Sequence, residues 1–170
     1  PSNQDAYLLD QIAVPEGGAL MAVADGMGGY DGGEVASQLA VQTLRAYVLP
    51  RVEAWAREGT IGRGLVEGIH AANRAILAAQ LTRADLARMG TTMTAVIAAG
   101  AHLYVGHVGD SKAFLITGTH AHQITSDHNI PGELLQRGHL TREQAACHPQ
   151  RHVLTRALGV REELLVEQLE

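Results

Sequence analysis

The stretch VADGMGGYDGGEVAS, residues 23–37, limits the possible folds more than any other part of the chain. Five glycines fall from Gly26 to Gly33. A regular element does not tolerate that density, because each glycine costs roughly 0.5–1 kcal/mol relative to alanine inside a helix or strand. The stretch therefore reads as a junction. An apolar run, ALMAVA (19–24), ends on Asp25, a bare loop follows, and a helix opens at GEVAS. Backbone without side chains beside a carboxylate leaves room for a cation. Mg²⁺ or Mn²⁺ takes oxygen ligands, and the Gly26 carbonyl could serve beside Asp25. An isolated Asp-Gly pair is more often a tight turn, so both readings stay open on this stretch alone.

The segments on either side suggest an α+β chain. AYLLDQIAV (6–14) and ALMAVA flank Pro15, Gly17 and Gly18, the pattern of a hairpin. GEVASQLAVQTLRAYVL places Val35, Leu39, Leu44 and Val48 at helical spacing and stops at Pro50. Residues 61–81 repeat the pattern with Leu65, Ile69, Ile76 and Leu77. The run TTMTAVIAAGAHLYVGHVGDSKAFLIT (91–117), broken at Gly100 and at Gly109-Asp110, predicts a meander of three antiparallel strands onto which the helices pack. Two short helices, PGELLQRG and TREQAACH with Thr141 as N-cap, and a last strand in ELLVEQLE complete the expectation.

Composition removes several function classes. The 170 residues suffice for one domain with a core, and 46% hydrophobic against 4% aromatic makes that core aliphatic. A net charge of −5 without a Lys/Arg run excludes a nucleic-acid groove. One cysteine, Cys147, forms no intrachain disulfide and fits a reducing, cytoplasmic compartment. No span-length apolar stretch is uninterrupted: Met93–Val108 contains His102, His107 and two glycines. With no initiator methionine, the chain is read as a fragment.

Two more acids repeat the pattern of Asp25. LYVGHVGDS ends an apolar run on Gly109-Asp110, and Asp5 opens the first strand. Three acids at strand ends beside small residues suggest a metal cleft, although each alone is weak evidence. Other phosphate chemistries fail on spacing. No Lys follows the glycines as a P-loop requires, and Asp31 occupies the third glycine position of G-x-G-x-x-G. Cys147 has Val153 where a Cys-x₅-Arg loop needs Arg, and there is no G-x-S-x-G. His148 and His152 are separated by Pro149, which argues against a zinc pair. The four methionines, Met21, Met27, Met89 and Met93, read as packing residues.

SNQDA, VADGMGG…GEVAS, MGTTMTAVI, LYVGHVGDSKAFLI, ITSDH and HVLTRALG follow one another in the order of the metal-dependent Ser/Thr protein phosphatases of type 2C, the PPM family. The chain resembles the bacterial single-domain branch along its length. The resemblance implies two antiparallel β-sheets packed as a sandwich flanked by helical pairs, with residues 1–170 forming one catalytic domain that is incomplete at both ends. It implies hydrolysis of phosphoserine and phosphothreonine by a water activated between two Mg²⁺ or Mn²⁺ ions, with a weaker third ion in bacterial members. Asp25 would bridge the ions, Gly26 would lend its carbonyl, Asp5 would hold waters, and Asp110 would bind the third ion. Residues 126–150 would form a flap that helps choose the substrate. Expected partners are phosphoproteins and a Ser/Thr kinase sharing them, with the protein a monomer. Three features depart from the family pattern. Tyr30 replaces a histidine common in bacterial members. The family's phosphate-gripping Arg would precede Pro1, and two further Asp ligands would follow Glu170. Omission of both ends is the favoured explanation. The alternative is a non-catalytic phosphatase-like regulatory or phosphoprotein-binding module.

Overall fold

The computed structural model describes residues 3–28 and 32–170. Gly29, Tyr30 and Asp31, three positions of the glycine loop, lie outside the described residues. The expected hairpin is present: β1 (Asp5–Ile12) pairs antiparallel with β2 (Gly18–Met27). Then come α1 (Gly32–Val48), α2 (Val52–Glu58) and α3 (Ile61–Thr82). Four strands follow, β3 (Gly90–Thr91), β4 (Met93–Ala99), β5 (His102–Val108) and β6 (Phe114–Thr117). The chain continues through β7 (His120–Gln123), α4 (Ile130–Gln136), α5 (Arg142–Ala146) and β8 (Glu167–Leu169). The α2 helix was not foreseen, because its seven residues lie between the two longer apolar periodicities.

The architecture is the expected one of antiparallel sheets and helices. A six-stranded sheet runs β1-β2-β4-β5-β8, with β3 alongside β2. The predicted meander holds only for β4 and β5. The third run, β6, leaves the sheet to pair with β7 in a two-stranded hairpin, and β8 takes the free edge of β5. The physical reason is the turn after β5: Gly109 has φ +115°, and the chain there heads away from the sheet plane.

Alternation along the strands sorts the two faces. Leu20, Ala22 and Ala24 of β2, with Met93, Ala95 and Ile97 of β4, are buried against the helices. The α1 helix presents Ala36, Ala40, Val41, Leu44 and Val48 to this core, so Val35 and Leu39 are only half-buried. Small residues permit close approach: a Cβ on Gly68 of α3 would touch Leu44 at 3.0 Å, and one on Gly106 of β5 would run into Ile69. The opposite face is another matter. Tyr7 and Leu9 stand 81% and 69% exposed there, with Val23 beside them in register. Asp5 and Asp25 lie on this same outer face, as do Thr94 and His107. Among the described residues, no helix is long and apolar enough to cross a membrane.

Candidate metal centre

Strand register brings the first two acids together. Asp5 is the direct cross-strand partner of Asp25 in the β1–β2 pair. Like charges opposed on one sheet face destabilise a strand pair, so the placement opposes folding unless something else compensates. The Asp25 backbone is firmly held. Its N–H donates to Thr92 Oγ1 at 2.9 Å, and its carbonyl accepts from the Thr92 N–H and the Thr91 hydroxyl, each at 2.9 Å. All main-chain valences of Asp25 go to the Thr91-Thr92 pair, and its side chain is left to face outward.

Gly26 packs where no side chain could. An added Cβ would collide with the Gly33 carbonyl and lie 2.6 Å from the Gln4 carbonyl. That same Gln4 carbonyl accepts from the Gly26 N–H at 3.1 Å and the Ser37 hydroxyl at 2.6 Å. The start of α1 and the segment leading into β1 are thus stitched to Gly26, and this fixes where Asp5 begins.

Asp110 arrives from a different strand. Gly109 supplies the left-handed turn out of β5, and a Cβ there would strike the Thr92 side chain at 2.5 Å. Ser111 then anchors the turn to β4. Its hydroxyl shares a 2.8 Å hydrogen bond with Thr92 Oγ1, and its carbonyl accepts from Thr94 Oγ1 at 2.7 Å. Thr92 therefore touches both acid-bearing segments. Asp25 and Asp110 line one cleft of about 340 Å³ together with Thr92, His152 and Arg156. An adjoining cleft of about 660 Å³ also contains Asp110 and His152, and extends past Lys112 and Asp127 to the helices α4 and α5.

The electrostatics are unbalanced. The Asp25 carboxyl is raised above the usual carboxylate range, first by partial burial, then by the charges of Asp5 and Asp110 and a side-chain hydrogen bond with Asp5. Among the described residues no Lys, Arg or His forms an ion pair with any of the three acids. Such a set fits divalent cations: hard oxygen donors, excess negative charge, and glycine backbone where an ion needs room. The three acids do not all come within 4.8 Å of one another, so the set is open rather than collapsed around a single point.

Comparison with known proteins identifies the family. The protein phosphatase 2C family model matches residues 1–160. The chain belongs to the protein phosphatase 2C family. It is 35% identical over 149 residues to the serine/threonine phosphatase stp of Listeria welshimeri, covering 83% of this chain and 56% of that protein. It is 39% identical over 149 residues to the serine/threonine protein phosphatase PstP of Mycobacterium tuberculosis, covering 88% of this chain and 28% of PstP. The chain thus spans about half of the first relative and less of the second. A crystal structure of the PstP catalytic domain in complex with two manganese ions superposes with a TM-score of 0.71 at 33% identity, over 97% of this chain and 71% of that one.

Against this protein phosphatase 2C framework, the structure brings Asp5, Asp25, Gly26 and Asp110 to one end of the outer sheet face. It also shows residues that spacing alone did not single out. Thr92 lies within a quoted motif, yet only its opposition to Asp25 reveals what it does. Asn129 Nδ2 donates to Asp110 Oδ2 at 3.3 Å, and Arg156 lines the smaller cleft. The flap segment carries α4, capped by Asn129, and α5, whose Thr141–Gln144 capping box matches the expected N-cap. Neither His148 nor His152 joins a group of three donors among the described residues.

A second cluster was not anticipated. His107, His128 and Glu167 place ligand atoms within 4.8 Å of one another. His107 and Glu167 are cross-strand partners in the β5–β8 pair. This group does not fit a metal. Both His128 ring nitrogens face hydrogen-bond donors, Nδ1 the Gly109 N–H at 3.1 Å and Nε2 the Arg156 guanidinium, so no ring N–H is directed at an orienting acceptor. Metal-binding histidines do the reverse and donate from the other nitrogen. The Arg156 guanidinium, 3.2 Å from Nε2, adds a competing cation. Glu167 is spent on the Ser126 N–H at 3.0 Å and hydroxyl at 2.8 Å, and His107 Nε2 on the Ser126 carbonyl at 3.0 Å.

Proposed function

We propose that residues 1–170 form a catalytic domain of a metal-dependent phosphatase that hydrolyses phosphoserine and phosphothreonine in proteins. The observation that carries this reading is that Asp25 and Asp110 line one cleft, with Asp5 beside Asp25 across the strand pair, and that none of the three acids forms an ion pair among the described residues. The manganese-bound PstP domain is a relative with the same fold. Bound Mg²⁺ or Mn²⁺ supplies Lewis acidity toward phosphate oxygens and a water of near-neutral pKa.

The chain's own residues supply the setting. Asp25, Asp5 and the Gly26 carbonyl would hold the two catalytic ions, and Asp110 would hold a weaker third. Thr92 keeps the segments bearing Asp25 and Asp110 in fixed relation through its bonds to Asp25 and Ser111. The smaller cleft would receive the phosphate and the larger one the polypeptide beside it, against the flap. No thiol or hydroxyl nucleophile is needed, in keeping with the absence of the Cys-x₅-Arg and G-x-S-x-G motifs. A cytoplasmic monomer that reverses a Ser/Thr kinase completes the proposal, and the free thiol of Cys147 fits a reducing compartment.

The test is release of phosphate from a phosphothreonine peptide by the complete protein. Turnover should require Mn²⁺ or Mg²⁺, stop on chelation, and resume when the ion is restored. Turnover that persists after exhaustive chelation contradicts the proposal.

A further inference from the structure

The hairpin of β6 and β7 stands apart from the six-stranded sheet, and every residue of its two strands is exposed. Its second strand reads His-Ala-His-Gln. His120 and His122 are two residues apart and therefore leave β7 on the same face. Across the hairpin they oppose Thr117 and Leu115. No Lys, Arg, Asp or Glu occurs from 113 to 126, so no charged side chain of the hairpin competes for the two rings.

The rings are already side by side, with 6.3 Å between centroids and 17° between planes. Both stand outside the hydrophobic core, and neither lines either cleft. The His122 ring makes no side-chain hydrogen bond among the described residues, which leaves its nitrogens to solvent. His120 Nδ1 lies 3.5 Å from the Thr119 hydroxyl. A ring nitrogen held by a neighbouring oxygen leaves Nε2 to bind an ion, the usual arrangement of a metal-binding histidine.

We propose that His120 and His122 form a second, imidazole-type metal site on β7, separate from the acidic cluster, which takes Cu²⁺, Ni²⁺ or Zn²⁺ in preference to Mg²⁺ or Mn²⁺. Imidazole suits the first three ions, and carboxylate, carbonyl and water suit the other two. Zinc lies about 2.0–2.1 Å from a ligating nitrogen, so two nitrogens sharing an ion lie within about 4.2 Å of each other. Exposed rings reach that separation by rotating about χ1 and χ2, a motion with little to oppose it at the surface. Water fills the remaining positions. The ion would clamp two residues of β7 in the extended conformation. A two-stranded hairpin is marginally stable by itself, and this clamp braces it.

The complete protein without a purification tag would be titrated with Ni²⁺ by calorimetry, with Mg²⁺ in excess to occupy oxygen-ligand sites. His120→Gln, His122→Gln and the double variant would be compared with His102→Gln, an exposed histidine beside Glu170. Loss of either ring turns a chelate into a single ligand, so each single variant should weaken one Ni²⁺ step by about 100-fold. His102→Gln should titrate as native. Electron paramagnetic resonance at one equivalent of Cu²⁺ should show two coupled nitrogens in the native protein and fewer in either single variant. A double variant that titrates as native overturns the proposal. So does an equal loss in His102→Gln, which places the ion elsewhere. A loss in one single variant and not the other reduces the pair to a lone ligand and also overturns it.

Discussion

Two clusters of ionisable side chains sit on the outer face of one sheet, and they are built in opposite ways. At one end, Asp5 faces Asp25 across β1 and β2, with Asp110 approaching from β5. At the other, His107 faces Glu167 across β5 and β8, with His128 packed 4.7 Å from the His107 ring centroid. In the histidine cluster both imidazoles are buried and every member has hydrogen-bond partners. The one buried side-chain N or O atom without a partner among the described residues is Thr60 Oγ1, far from it in sequence. The acidic cluster opens on a cleft, and none of its three acids forms an ion pair among the described residues, although Arg156 lines the same cleft. A group of titratable residues that satisfies itself is a structural fastener. One that does not satisfy itself is waiting for a ligand. The donor types alone favour the other cluster, since a His-His-Glu set looks more like a metal site than three scattered aspartates do.

Several experiments would break or sharpen that contrast. The largest effect is expected at Asp25. Asp25→Asn keeps the side-chain shape and removes the charge, so the fold should persist by circular dichroism. Mn²⁺-dependent turnover of a phosphopeptide should fall by more than the roughly 10–100-fold typical of outer-shell changes. Near-native turnover would mean that Asp25 is only a turn residue.

The histidine cluster should answer to pH instead of to metal. Burial, and then the charges of His107 and Arg156, lower His128 to about 4, against the smaller opposing pulls of Glu167 and Glu133. Burial lowers His107 as well. A group whose folded pKa is depressed contributes stability that is present above its unfolded value, about 6.5, and is lost as pH falls toward the folded value. For His128 that loss is on the order of 3 kcal/mol between pH 7 and pH 4. Urea unfolding of the metal-free protein should show it, and His128→Gln should show much less of it. An equal pH slope in both proteins would remove His128 as the cause.

Asp110 should matter less than Asp25. Asp110→Ala is expected to raise the Mn²⁺ concentration needed for half-maximal activity by about 10-fold without lowering thermal stability. An unchanged requirement would return Asp110 to the role of a loop residue. The smallest effect concerns the bare sheet face. Residues 1–170 expressed alone should self-associate through Tyr7, Leu9 and Val23, the first two 81% and 69% exposed. Tyr7→Lys with Leu9→Lys should shift sedimentation toward monomer. Indistinguishable sedimentation of the two forms would show that the face is not the cause.

Much of the candidate site was legible in the sequence, because glycine and acid at a strand end leave a local mark. Asp25 beside Gly26 and Asp110 after Gly109 could be found that way, and Thr141 marked the start of α5. What was not legible depended on register. Nothing local says that Thr92 opposes Asp25, that Asn129 reaches Asp110, or that Glu167 pairs with His107. Each contact joins segments separated by 19 to 67 residues. The departure of β6 from the meander was hidden for a similar reason. An apolar run of four residues reads alike whether it extends a sheet or forms its own hairpin, and only β8 on the edge of β5 decides between them. Apolar periodicity did predict β1, β2, α1, α3, β4 and β5, but neither α2 nor that α1 would turn its alanines rather than Val35 and Leu39 into the core.

The most direct measurement is anomalous-difference crystallography of the complete protein soaked in Mn²⁺. Peaks are expected within about 2–2.5 Å of the Asp25 carboxylate, with a weaker one at Asp110 and none among His107, His128 and Glu167. A peak seated in the histidine cluster, or a cleft at Asp25 that stays empty at saturating Mn²⁺, would contradict the assignment of the acidic cluster as the metal centre.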